Sequence, residues 1–178
     1  MDDLRYPIGP FDLGKVLEVD RDVCLCQLAE APGLLRAAVE GLTPAQLDTP
    51  YRPGGWTVRQ VVHHLADAHM NWYARTKLAI TELEPTIKPY DESRWAELED
   101  ARTASMELSL TLFDSLHTRW VQFFHSLAEA DWSRKFNHPE RGMMSVAEVL
   151  PIMAWHARHH TAHITGLRER MGWKSSTA

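Results

Sequence analysis

The chain has 178 residues, a net charge of −5 and 44% hydrophobic residues. That length suits one domain with its own core, and the acidic balance argues against nucleic acid, whose phosphates need a basic face. No apolar run is long enough for a bilayer span, and the acidic start MDDLRYPIGPFDLG lacks the apolar stretch of a secretory signal, so a cytoplasmic protein with no membrane partner is expected.

Residues 1–19 hold Pro7, Gly9, Pro10 and Gly14 and read as an extended N-terminal arm. A helical pattern runs from Asp20 to Leu42, with Pro32 expected to kink or split it. Cys24 and Cys26 fall two apart, so on a helix they face different sides and cannot share a metal; both read as small packing residues. Thr43-Pro44-Ala45-Gln46 is a capping box that opens a short turn. After the break Pro50-Tyr51-Arg52-Pro53-Gly54-Gly55, a second box at Thr57–Gln60 opens a long helix to about Thr81.

Pro85 and Pro89 bound a loop, and a short helix fits Tyr90 to Asp100. A further long helix spans about Ser105 to Ala128, with Leu108, Leu112, Leu116, Trp120, Phe123 and Leu127 as its apolar stripe. Ser145–Glu148 is a third capping box, opening a last helix to about Met171. Pro151 predicts a kink there or a later start. No strand alternation stands out. The pattern gives an all-α, four-helix bundle over residues 20–173, and a polar tail at 174–178.

Ten histidines occur in the chain, four of them in WHARHHTAHI. Stepping 100° per residue along the last helix puts His156 and His160 on the apolar face, His163 on its edge and His159 towards the polar side. Residues four apart sit one turn above another, about 5–6 Å between Cβ atoms, so this pair could grip one ion. Burying both rings bare would leave ring nitrogens in need of partners, at roughly 1–3 kcal/mol each.

On the helix after Thr57, His63 points away from the buried side, His64 sits on its flank and His69 lies within it. Asn71 and Arg75 share the sector of His64, with Gln60 just above. From spacing alone, His69 remains an open candidate beside His64. His63, His69, His117, His125 and His138 otherwise read as surface or loop residues.

The stretches YPIGPF, LDTPYRPGGWTVRQVVHHLADAHMNWYARTKL, KPYDESRWAEL and WHARHHTAHITGLRERMGW span nearly the whole chain. In this order they resemble the DinB-like, YfiT-type family of four-helix-bundle metal proteins. The resemblance implies an up-down-down-up bundle and a metal held by His64, which directly precedes Leu65, and by His156 and His160. It also implies a homodimer, as do the exposed parts of the stripes.

Three neutral imidazoles leave at least one position on the ion open, because no cysteine closes the shell and neither Asp67 nor Glu148 lies on the centre line of the histidines. Imidazole ligation suits zinc, with nickel also possible. An open zinc site brings the pKa of bound water towards about 7, which is hydrolytic chemistry on a small-molecule substrate. The same position also binds a small thiol as thiolate, which is the chemistry of a bacillithiol-type S-transferase. A non-catalytic metal-binding protein is a further alternative. Residue 157 is Ala, so no H-E-x-x-H general base is present. Asn71 and Arg75 are candidates to orient substrate or its anionic group, and His163 to bond a ligand or carry a proton. Arg52, Trp56 and Tyr90 are candidates for the pocket mouth.

Overall fold

The computed structural model describes residues 3–173. Four long helices build the bundle: α2 (Arg21–Val39), α4 (Val58–Thr81), α7 (Met106–His125) and α8 (Val146–Met171). A short helix α1 (Leu13–Leu17) precedes them, and α3 (Pro44–Leu47), α5 (Glu92–Ala96) and α6 (Glu99–Thr103) lie between them, with a 3-10 turn at Glu129–Ser133. The arm is therefore not wholly extended, since α1 forms on the Asp12 cap. The tail expected at 174–178 lies outside the described residues. Among the described residues, no helix is long and apolar enough to cross a membrane.

Side-chain pairings fix the direction of each helix. His63 meets Ser109, and His69 meets His117, so numbering rises together and α4 runs parallel to α7. Arg21 pairs with Glu129 and Arg36 with Glu107, so α2 and α7 are antiparallel. Arg158 reaches Gln27 and Arg168 reaches the Ala38 carbonyl, so α2 and α8 are parallel. The order is thus up-down-down-up, which forces a long connection between the two parallel neighbours α4 and α7. That connection carries α5 and α6.

The capping boxes work as the sequence predicts. Thr57 N–H donates to Gln60 Oε1 at 2.9 Å and Gln60 N–H to Thr57 Oγ1 at 3.1 Å. Ser145 N–H donates to Glu148 Oε2 at 2.6 Å, and α8 starts there rather than after Pro151. Pro151 lies near enough to the N-terminus that its missing N–H leaves only one early carbonyl without a helical donor. Pro32 likewise does not split α2, which is continuous through it.

Two readings need correction. A two-stranded antiparallel hairpin, β1 (Lys135–His138) and β2 (Gly142–Ser145), occupies what read as loop. Burial does alternate along β1, with Phe136 and His138 inward, but a histidine at one of the two inward positions masks that period in the sequence. The apolar stripe of α7 holds at Leu116 and Trp120, which are buried, but is otherwise rotated: Leu108 and Leu112 are exposed, while Leu110, Phe113, His117 and Phe124 are buried. Counting His117 as polar hid the true face.

The core divides into two apolar layers. On α2 the break falls between Leu28 and Ala31, on α4 between Ala66 and Trp72, on α7 between Phe113 and Trp120, and on α8 between Ala154 and Ala157. His69, His117 and His156 fall in these breaks, so a layer of imidazoles crosses the bundle between two hydrophobic halves.

Candidate metal centre

His64 comes from α4, and His156 and His160 come from successive turns of α8. One ring nitrogen from each lies within 4.8 Å of the others. His64 Nε2 and His156 Nε2 stand 3.3 Å apart. That separation matches the edge of a tetrahedron, about 3.3–3.4 Å when metal–nitrogen bonds are about 2.0–2.1 Å. His64 is buried, and burial holds its pKa down at about 4. Desolvation first, then the neighbouring histidines, holds His156 and His160 well below the ordinary imidazole value. All three rings are therefore neutral at neutral pH, the form that ligates a metal.

His163 shows how one of these rings is prepared. Its Nε2 lies 3.1 Å from the Arg5 carbonyl oxygen, which only accepts, so Nε2 carries the proton. Its Nδ1 is then a lone pair, facing His160 Nδ1 at 3.4 Å. His160 donates there and keeps Nε2 bare. Tyr51 stacks on His163 with ring centroids 4.0 Å apart.

Tyr51 belongs to the Pro50–Gly55 break, which forms one wall of the site. Tyr51 N–H donates to the Trp56 carbonyl at 3.0 Å, closing a tight loop. A Cβ on Gly55 would stand 2.7 Å from Arg52 Cγ, so only glycine fits the turn without a shift. The loop delivers Trp56 onto His64, with centroids 4.5 Å apart.

The histidines open into a cavity of about 530 Å³. Arg52, Trp56 and Tyr90 all line it, as does Arg75. Arg75 is buried rather than a surface salt-bridge residue. Its Nη2 donates to the Lys88 carbonyl at 3.0 Å and its guanidinium lies 5.0 Å from the Trp72 ring centre. Among the described residues no carboxylate pairs with it. Burial keeps the Tyr90 phenol protonated, well above its usual range.

Asn71 is not among the lining residues. Its side-chain N–H donates to the Asp67 carbonyl at 2.9 Å. The four-residue step from Asn71 to Arg75 turns about 40° round the helix, enough to take the amide out of the cavity. Asp67 is half-buried and stands outside the histidine cluster, its pKa raised to about 6 by burial.

Several other histidines depart from expectation. His159 is buried, not on a polar face, because Trp155 stacks on it at 4.5 Å and Tyr6 of the arm lies near. His63 is buried against Ser109 Oγ at 2.7 Å, and His138 is buried in β1, stacked on Trp72. His69 and His117 are fully enclosed, His69 Nε2 lying 3.2 Å from His156 Nδ1. Only His125 remains at the surface. A helical wheel for one helix cannot show that α7 brings its own histidine to meet that of α4.

Residues 27–164 match the DinB superfamily. This chain belongs to that superfamily. A Bacillus mycoides (strain KBAB4) protein named "Putative metal-dependent hydrolase" is 53% identical over 174 residues, covering 97% of this chain and 100% of the relative. A Bacillus cereus (strain B4264) protein of the same description is 52% identical over the same span. The fold is also that of YfiT from Bacillus subtilis, described as a probable metal-dependent hydrolase with an unusual four-helix bundle topology. The TM-score is 0.90, with 47% identity over 96% of this chain and 99% of that one. This DinB-superfamily chain thus shares the bundle topology of YfiT, and it carries a three-histidine cluster of its own.

Proposed function

We propose that the chain is a metal-dependent hydrolase in which His64, His156 and His160 hold one divalent ion, zinc by preference and nickel as the other candidate. The observation that carries this reading is the convergence of three neutral ring nitrogens at the floor of a cavity, with no thiol or carboxylate among them. The Nε2 atoms of His64 and His156 stand 3.3 Å apart, and a cation between them would be held by a lone pair from each. Such a donor set leaves a position open for a reactant. When bound, the ion would supply Lewis acidity and bring the pKa of a water towards about 7.

The chain's own groups do the rest. Trp56 shields His64 from solvent. His163 fixes the ring of His160. Arg75 is a buried cation in the cavity wall with no carboxylate partner among the described residues, suited to grip an anionic group of a small-molecule substrate. Tyr90, held protonated, offers a hydroxyl donor beside it.

A second reading, transfer of a low-molecular-weight thiol, is favoured by the wholly neutral ligand set, which leaves the full charge of the ion to hold a thiolate. Zinc-loaded protein should be assayed on a panel of activated esters and, separately, on an electrophile with and without small thiols. Zinc-dependent ester turnover indifferent to thiols supports the hydrolase. Conjugation that requires both zinc and thiol replaces it with the transferase. Zinc binding with neither activity leaves a metal-binding protein.

A further inference from the structure

Leu28 lies in α2 four residues before Pro32. In an α-helix the carbonyl of residue i accepts from the N–H of residue i+4, and proline has no N–H to give. The Leu28 carbonyl is thereby released from the ladder, in the middle of the bundle. His117 Nδ1 lies 2.6 Å from it.

A carbonyl oxygen only accepts, so His117 carries its proton on Nδ1 and, as a neutral ring, has a lone pair on Nε2. That lone pair lies 2.9 Å from His69 Nδ1, which must therefore donate. His69 Nε2 is then a lone pair, 3.2 Å from His156 Nδ1, which must donate in turn. His156 is left with a bare Nε2, the atom that faces His64 Nε2. Each ring has one partner that dictates the next, and the direction is set at the carbonyl. His69 and His117 are fully buried, so water does not compete for these bonds.

We propose that Pro32 frees the Leu28 carbonyl to fix the tautomer of His156 through two buried imidazoles, making His117 and His69 positioning residues for a metal ligand. The proposal rests on reading His156 as a ligand. Ligating histidines commonly donate their second N–H to a carboxylate, carbonyl or water. Here the partner is a chain of neutral rings, so the ligand is oriented without a counter-charge being brought near the ion. The line of bonds also touches all four long helices, α8, α4, α7 and α2, so the geometry of the site is tied to the packing of the whole bundle. This explains why an imidazole layer interrupts an otherwise apolar core.

The first test needs no variant. Two-bond ¹H–¹⁵N spectra of histidine-labelled wild-type protein, zinc-free and zinc-loaded, report which nitrogen of each ring is protonated. The expected result is Nδ1–H on His117, His69 and His156, with slow exchange at His117. A proton on Nε2 of His117 or His69 overturns the proposal. The second test is zinc affinity by competition with a chelator. His117→Phe should bind zinc about tenfold or more less tightly while keeping the helical spectrum.

Pro32→Ala supplies an N–H that competes for the Leu28 carbonyl. It should be more resistant to urea yet bind zinc less tightly, two opposite movements that a merely structural role would not produce. Unchanged zinc affinity in both folded variants overturns the proposal. Absence of zinc or nickel binding by wild-type protein would instead remove the ligand assignment, and the zinc-free tautomer spectra would still decide the hydrogen-bond chain separately.

Discussion

The indole of Trp56 lies against the imidazole of His64, ring centroids 4.5 Å apart, and both rings line the same cavity. His64 has a pKa of about 4 mainly because it is desolvated. Trp56→Ala lets water reach the ring, and the pKa rises towards about 6.5. A proton then competes with metal at a higher pH. Zinc-loaded protein dialysed across a pH series should lose half its zinc at a higher pH in the variant than in the wild type. Coincident release curves would show that Trp56 does not shield the ligand.

Removing one ligand separates the metal from the fold. His64→Ala or His160→Ala should carry less than about a tenth of an equivalent of zinc after loading, since two imidazoles rarely hold the ion alone. His125→Ala, at the exposed end of α7, should load like the wild type. Saturating zinc should also raise the wild-type melting temperature. At about a hundredfold excess over Kd the gain is about 2.7 kcal/mol. For a domain of this size that is about 5–10 °C. The same zinc should leave His64→Ala unmoved, by calorimetry of both proteins with and without metal.

The zinc-free protein should weaken in acid. His117 is buried neutral, its pKa lowered to about 4 by burial, against about 6.5 in an unfolded chain. Above pH 6.5 neither state binds the proton and nothing is lost. As pH falls below that value the unfolded chain binds a proton that the native ring refuses, and stability drops until about pH 4. One such ring costs roughly 2 kcal/mol between pH 7 and pH 5. The urea midpoint of zinc-free protein should fall by about 1 M over that interval. A midpoint constant from pH 7 to pH 5 would mean that the native rings already carry protons.

How much of this was legible in the sequence follows from the range of each interaction. Capping boxes at Thr57 and Ser145 are local, and they fixed the starts of α4 and α8. His156 and His160 share one helix, so the 3.6-residue period alone turned them inward. His64 needed the family resemblance, because a flank position on a helical wheel faces either solvent or a neighbour. His69 and His117 were missed as a pair, since their meeting depends on α4 and α7 running parallel, which is a property of topology. Pro32 was visible as a helix breaker. That it liberates the one carbonyl facing His117 becomes clear only once α2 and α7 are packed together. Asn71 failed for a smaller reason, a 40° turn and an amide that bonds to its own helix.

Arg75 offers the sharpest test of substrate class. Its guanidinium is buried in the cavity wall, donates to the Lys88 carbonyl and has no carboxylate partner among the described residues. Desolvation lowers its pKa, so an approaching anion would meet a poorly hydrated charge. Arg75→Gln keeps a donor for the Lys88 carbonyl and removes the charge. A charged hydrogen bond is worth about 1.5–3 kcal/mol, so kcat/KM for an ester bearing a carboxylate should fall roughly 10- to 150-fold. A neutral ester of the same leaving group should be turned over at close to the wild-type rate, because it never used the guanidinium. Equal losses on both substrates would show that Arg75 supports the fold of the cavity rather than its choice of ligand, and equal retention would place the anionic group elsewhere.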